Sequence, residues 1–307
     1  MIRVAHVSDL HVLSRTGRRW RQIVFNKRIT GYANLMLHRG RVHRRAHLEK
    51  VLAAAAAAAE VLVVTGDITN LALEHEYQEA AALLGMAAAR TEVSVVPGNH
   101  DIYLPSLASE GRFAHHFHPF LGSDLPELAC DVPAGRFPTV RLRQGVAIIG
   151  LSSGVPRPPF VSAGRLGGAQ LRALQAVLAH PEVRRRCPVV LVHHPPADGQ
   201  PCLLRLRDGL VDLPALQRVL QPVERGVLLF GHIHLRTRGE LRTRAGRLDV
   251  LSVSGAALDH PDPAVRAGFN LYTFEDDGRL SAVQAQVLDP RGEELQVVPF
   301  SGSAEAT

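Results

Sequence analysis

Cysteine is scarce in this chain: Cys130, Cys187 and Cys202 are its only thiols in 307 residues. They show no metal-ligand spacing and three cannot all pair, so unpaired thiols in a reducing compartment are expected. Long apolar runs are missing too. No stretch approaches the roughly 20 residues that span a bilayer, and the alanines from Ala53 to Ala59 fall inside an amphipathic helix pattern. The N-terminus starts a strand almost at once and lacks the apolar region of a signal peptide, so a cytoplasmic location is expected. No internal repeat is present. A last absence is local: no acidic residue occurs between Asp9 and Glu49.

What remains is ordinary in bulk and unusual in detail. A hydrophobic content of 46% with 21% charged residues is typical of a globular protein able to bury a full core. The net charge of +6 favours anionic partners without identifying one. Sixteen histidines is a high number. Many sit in or beside five short pieces: Asp9-Leu10-His11, Gly66-Asp67, Gly98-Asn99-His100-Asp101, His193-His194-Pro195 and Gly231-His232-Ile233-His234. Apolar runs such as Val61-Leu62-Val63-Val64 and Val189-Val190-Leu191-Val192 precede them and read as buried strands. Open α/β sheets collect ligands at the carboxyl ends of their strands. The five strands are therefore expected to deliver polar ends to one edge of one sheet.

The alternation of strands and helices predicts an α/β fold. Helices are expected at about 43–59, 74–89 and 168–179, with strands near 139–142 and 146–151. After Gly231-His234 the pattern changes. Leu241–Thr243, Leu248–Val253, Asn270–Phe274 and Leu280–Val287 alternate and suggest antiparallel strands. The chain is read as one domain over 1–300, with two packed mixed sheets and helices outside. It carries a basic insertion at about 14–42, a loop-rich insertion at about 102–138, and a frayed polar tail at 301–307.

Asp9, His11, Asp67, Asn99, His193, His232 and His234 offer two carboxylates, one amide oxygen and four imidazoles. Such a set, without thiolate, suits borderline divalent ions such as Mn, Fe, Zn, Co or Ni. Seven ligands are too many for one tetrahedral zinc. They suit two ions sharing a bridging carboxylate, an arrangement that clamps both oxygens of an in-line displacement at phosphorus. His100, one group too many for the ions, is a candidate catalytic general acid or phosphate contact, with orientation of Asn99 as its plainer use. Asp101 either fixes the tautomer of His100 or caps the next turn.

These motifs in this order resemble the calcineurin-like metallophosphoesterase superfamily. The wording of Asp9-Leu10-His11, Gly98-Asn99-His100-Asp101 and His193-His194-Pro195-Pro196 is most similar to its bacterial class III cyclic nucleotide phosphodiesterase branch. The resemblance implies a four-layer α/β/β/α sandwich with a dinuclear site between the sheets. It implies one ion on Asp9, His11 and His234, the other on Asn99, His193 and His232, and Asp67 bridging them. His194 would be a second-layer or rim contact. Mn, Fe or Zn would serve as the two divalent ions, and the reaction would be attack of a metal-bound hydroxide on a small anionic phosphoester.

The basic insertion bears on the substrate. Arg15, Arg18, Arg19, Arg21, Lys27, Arg28, Arg39, Arg41, Arg44 and Arg45 crowd the acid-free stretch, interleaved with apolar residues. At 3.6 residues per turn, Trp20, Ile23 and Val24 share a helix face. Because the insertion leaves directly after two candidate ligands, it should overhang the site. Three uses are open to it: selecting an anionic substrate, lying on an anionic membrane surface or lipid through residues 15–40, or acting only as a lid. Nucleic acid is not expected, since no recognised binding module accompanies the arginines. A cyclic nucleotide-like phosphodiester is the first expectation for substrate. A lipid-linked phosphoesterase or pyrophosphatase at the inner membrane face, of UDP-diacylglucosamine or glycerophosphodiester type, is the second.

Overall fold

Short β-branched runs become strands here because alternate residues of each run find a different apolar layer. In the computed structural model the described residues are 1–13, 43–158, 160–196, 202–298 and 300; the expected basic insertion and the 301–307 tail lie outside them. The elements in order are β1 (Ile2–Val7), α1 (Arg45–Ala58), β2 (Val61–Val64), α2 (Glu74–Ala88), β3 (Glu92–Val95), α3 (Pro105–Ser109) and α4 (Arg112–Phe117). Then come β4 (Cys130–Val132), β5 (Gly135–Phe137), β6 (Thr139–Arg143), β7 (Val146–Gly150), α5 (Gly168–Ala179), α6 (Pro181–Arg184), β8 (Cys187–Leu191), α7 (Cys202–Asp208) and α8 (Leu213–Leu220). The chain continues through β9 (Arg225–Phe230), β10 (Arg238–Arg242), β11 (Arg247–Ser252), β12 (Gly268–Phe274), β13 (Leu280–Leu288) and β14 (Leu295–Val298).

Two six-stranded mixed sheets result, in the orders β14-β13-β12-β1-β2-β3 and β10-β11-β9-β8-β7-β6. Within the first, β1, β2 and β3 run parallel and β12 joins β1 antiparallel. Within the second, β7, β8, β9 and β11 run parallel. Val146, Ile148, Val189, Leu191, Val227 and Leu229 face the layer shared with the first sheet. Their neighbours Ala147, Ile149, Val190, Val192, Leu228 and Phe230 face α5 and α8. Both faces of these strands are covered, which is why their sequences are continuously apolar rather than alternating. The first sheet packs its other face on α1 and α2, giving the expected α/β/β/α layering.

Three expectations need correction. The five strand-end pieces belong to two sheets, not one: β1, β2 and β3 lie in the first sheet and β8 and β9 in the second. An alternating β/α pattern does not show where a second sheet begins, and here the β6–β7 hairpin opens it. The strands after Gly231 are not uniformly antiparallel, because the β10–β11 turn returns β11 parallel to β9. The 102–138 segment also contains more regular structure than its composition suggests. It holds α3, α4, two 3-10 turns and the β4–β5 hairpin, anchored by fully buried Phe113 and Phe117.

Between the sheets His6 is fully buried, its Nε2 2.8 Å from Thr65 Oγ1 and its Nδ1 3.2 Å from Tyr272 Oη. Burial drives its pKa down to about 3; Asp9 pulls upward and Arg236 pushes further down. The folded state thus holds His6 neutral while the unfolded chain takes up a proton below about 6.5. Stability from neutral His6 is therefore complete above pH 6.5 and is lost as pH falls from 6.5 toward 3. The destabilisation caused by His6→Gln should shrink by about 2 kcal/mol between pH 7 and pH 5. Urea midpoints of both proteins at the two pH values measure this; an unchanged gap would count against it.

Candidate metal centre

The five pieces turn sharply as they leave their strands. Asp9, His11, Asp67, His232 and His234 all adopt positive φ, at 52°, 42°, 49°, 69° and 54°. L-residues seldom adopt this region, and surrounding structure must hold them there. Among the described non-glycine residues only Ala72 and Phe160 share it without belonging to the candidate set. The restraint is a ladder that continues past the strands: Asp9 N–H donates to Gly66 O (2.9 Å), His11 N–H to Asp67 O (3.0 Å) and Gly231 N–H to His193 O (3.1 Å). Two glycines permit the close approach. A Cβ on Gly98 would collide with the Asp67 carboxylate, and one on Gly231 would meet Ser8 Oγ and Asp9 Oδ2.

The side chains fall into two trios about one carboxylate. In the first, Asp9 Oδ1 lies 3.1 Å from His234 Nε2 and 3.9 Å from His11 Nε2, and the two imidazole nitrogens are 3.4 Å apart. In the second, Asn99 Oδ1 lies 3.2 Å from His193 Nε2 and 3.1 Å from His232 Nδ1, and those nitrogens are 3.2 Å apart. Asp67 Oδ2 stands between them, 3.9 Å from His11 Nε2, 3.4 Å from His193 Nε2 and 4.0 Å from His100 Nε2.

Each carboxylate has one oxygen committed to the backbone. Asp67 Oδ1 accepts His100 N–H (2.8 Å) and Asp9 Oδ2 accepts His232 N–H (3.1 Å). The other oxygen of each is thereby turned inward. His193 Nδ1 faces Thr65 O at 2.7 Å, and His100 Nδ1 faces Asn70 O at 2.6 Å. Since a carbonyl only accepts, both rings carry their proton on Nδ1 and present Nε2 to the site.

The site favours positive charge. Burial alone would raise the Asp9 carboxyl, yet the charge of the His234 imidazole beside it brings it down to about 2. Burial opposes ionisation of Asp67 in the same way, but the charges of His193 and His100 hold it well below the usual carboxylate range. Burial would lower His193; Asp67 overcomes it and lifts that imidazole to about 9. His232, buried beside His193, falls to about 4.

Comparison with known proteins fits this geometry. The sequence profile of the calcineurin-like phosphoesterase family matches residues 2–236. The chain belongs to that family. A phosphoesterase of this family uses a dinuclear divalent metal centre, and this chain is accordingly a metal-dependent phosphoester hydrolase. No curated protein matches it in sequence. Among solved structures it is similar to a dimetal phosphatase from Danio rerio, with 16% identity, 98% of this chain and 99% of that one covered, and a TM-score of 0.54. It is also similar to the purple acid phosphatase PPD1 of yellow lupin (Lupinus luteus) seeds, at 11% identity and a TM-score of 0.61, covering 96% of this chain and 52% of that one. A third likeness is the sulfate thiohydrolase SoxB of Thermus thermophilus, at 17% identity and a TM-score of 0.52, covering 96% of this chain and 58% of that one. At these identities the likenesses speak for the fold.

The donor set of this phosphoesterase fits a metal pair. Asp9 Oδ1 is buried and receives no well-directed hydrogen bond, although His234 Nε2 is close, and a cation would satisfy both. Carboxylate and imidazole donors converge to within 4.8 Å in overlapping groups without thiolate, and the Asn99 amide oxygen lies 3.2 Å and 3.1 Å from the His193 and His232 nitrogens.

For two neighbouring residues the structure decides between the alternatives expected of them. His194 is not a rim group: it is fully buried, with Nδ1 2.8 Å from Ser153 Oγ and Nε2 2.7 Å from Ser162 O. With both nitrogens engaged it supports the site by packing on His232, ring centroids 4.7 Å apart. Asp101 turns away from the His100 ring and accepts Thr69 N–H (2.8 Å), Gly98 N–H (2.9 Å) and Ile68 N–H (3.2 Å), tying the 67–69 turn to the 98–101 turn. Burial, then the charge of Asp67, push its carboxyl up to about 7. The motifs gave no sign of His43, whose ring stands edge-on to His11 at 5.1 Å. Only its position at the end of the acid-free stretch hinted at it.

Proposed function

We propose that Asp9, His11 and His234 hold one divalent ion, that Asn99, His193 and His232 hold the other, and that Asp67 bridges them in hydrolysis of a phosphodiester. The observation that carries this reading is Asp67 Oδ2, set between two donor trios drawn from both sheets. Bound divalent ions supply charge neutralisation at phosphoryl oxygens and acidify a water. The rest is work of the chain. The His232 and His100 amides aim one oxygen of each carboxylate, and Thr65 O aims the His193 lone pair. His194 and Ser153 seal the floor beneath His232. His100, anchored through Nδ1 on Asn70 O, has Nε2 as its working atom; its imidazolium form donates from Nε2 to the departing ester oxygen.

The substrate is a cyclic nucleotide-like diester in the first reading, supported by the wording of the Asp9, Gly98 and His193 motifs. The basic stretch supports a second, lipid-linked reading at the inner membrane face. Its flanks are fixed beside the first trio by the Val12–Thr69 and His43–Leu258 bridges. Among the described residues no helix is long and apolar enough to cross a membrane. A panel with added Mn(II) separates the readings: bis-p-nitrophenyl phosphate, cyclic AMP, glycerophosphodiesters and UDP-diacylglucosamine. Turnover of the first two supports the first reading, and preference for the last two, with vesicle binding lost on deleting 15–40, supports the second. His100→Gln should slow alkyl esters more than p-nitrophenyl esters, since poor leaving groups need the proton most. Hydrolysis of none of the four would overturn the assignment.

A further inference from the structure

His43 lies outside every motif and every converging donor group, yet it forms part of the wall of the site. Its ring centroid is 5.1 Å from that of His11 at 90° and 6.4 Å from that of His234 at 84°. His100 meets His11 in a similar edge-on contact, at 5.0 Å and 87°. The donor atoms that come within 4.8 Å of one another belong to Asp9, His11, Asp67, His100, His193, His194, His232 and His234, and His43 is not among them. It is thus beside the first trio rather than within it, and half-buried.

The backbone holds it there firmly. His43 bridges Leu258, Arg44 N–H donates to Ala257 O (2.8 Å), and Arg44 Nε pairs with Asp259 Oδ2 at 2.6 Å. The same 255–258 loop is joined to the Asp9 turn by the Ser8–Gly255 bridge and by Ala256 N–H donating to Ser8 O (3.0 Å). His43 and the first trio are therefore parts of one hydrogen-bonded unit. An imidazole offers N–H donation to an oxyanion.

We propose that His43 is a substrate-binding residue whose imidazole contacts a phosphoryl oxygen of the substrate beside Asp9, His11 and His234, as a second imidazole distinct from His100. The proposal rests on the metal-centre reading above. It also makes His43 the point at which the acid-free segment reaches the bond that is broken.

The test uses the Mn(II)-loaded full chain with His43→Ala and His43→Gln. Three quantities are read: metal per chain by atomic emission, the Kd of inorganic phosphate by calorimetry, and KM and kcat for bis-p-nitrophenyl phosphate. His43→Ala should keep the wild-type metal content, raise the phosphate Kd at least about tenfold, as loss of a charge-assisted hydrogen bond does, and raise KM with little change in kcat. His43→Gln, which retains a donor, should recover part of the phosphate affinity. Unchanged phosphate Kd and KM would overturn the proposal alone. Loss of metal in His43→Ala would overturn it in favour of a ligand role. A wild-type chain that binds no metal would remove the proposal together with the centre it rests on.

Discussion

Asp67→Asn is expected to lower kcat/KM by at least about 10³-fold and to weaken both bound ions. The substitution is nearly isosteric, so the Oδ1 position can still accept the His100 amide that now holds it at 2.8 Å. What disappears is the negative charge on the oxygen that faces both trios. That charge is what lifts His193 to about 9 against its burial, so the imidazole should lose its proton more readily in the variant. Several kcal/mol of charge stabilisation depend on a properly held metal pair, and each 1.36 kcal/mol is a factor of ten in rate. Steady-state kinetics with Mn(II), alongside metal content after gel filtration, measure the effect. Full metal-dependent hydrolysis by the variant would rule out Asp67 as the shared ligand.

Gly98→Ala should be nearly as damaging, although it alters no functional group. Gly98 adopts an ordinary φ, so alanine is not excluded by backbone conformation. The added methyl would occupy the space of the Asp67 carboxylate and backbone nitrogen, with Asp67 Cγ only 2.8 Å away. A backbone atom cannot step aside as a flexible side-chain tip does. The two turns must separate, straining the bonds that Thr69 N–H (2.8 Å) and Ile68 N–H (3.2 Å) donate to the Asp101 carboxylate and displacing Asn99. Overpacking of this kind costs about 1–3 kcal/mol, and activity should fall by more than about 100-fold, as misplacement near 1 Å does. Gly85→Ala is the matched control. Gly85 lies inside α2 with nothing within 4 Å of an added Cβ, so that change should stabilise by about 0.5–1 kcal/mol. Chemical denaturation and kinetics on both variants give the contrast; equal effects would refute the steric account.

The candidate site was largely legible because each chemical piece was local. An apolar run followed by Asp-Leu-His or Gly-Asn-His-Asp marks a strand end, and these seven side chains do converge in space. The positive φ values explain why the spacing works: Asp9 and His11 flank Leu10, which is fully buried, and both turn into the cleft. Sheet membership was not legible, since a strand buried on both faces reads alike in either sheet. The turn of β11 to run parallel with β9 was hidden for the same reason. His194 and Asp101 were ambiguous because their roles depend on partners distant in sequence, Ser153 and Ser162 for one and the 68–69 amides for the other. His43 was missed because a lone histidine before a helix carries no motif; only the fold brings it against His11.

The bridge at Asp67 is tested most directly by titrating metal-free protein with Mn(II) under electron paramagnetic resonance. Asp67 Oδ2 lies between the two trios, so two ions per chain should bind and give an exchange-coupled spectrum, and Asp67→Asn should abolish that coupling. A single bound ion, or two ions with independent six-line signals, would contradict a shared carboxylate.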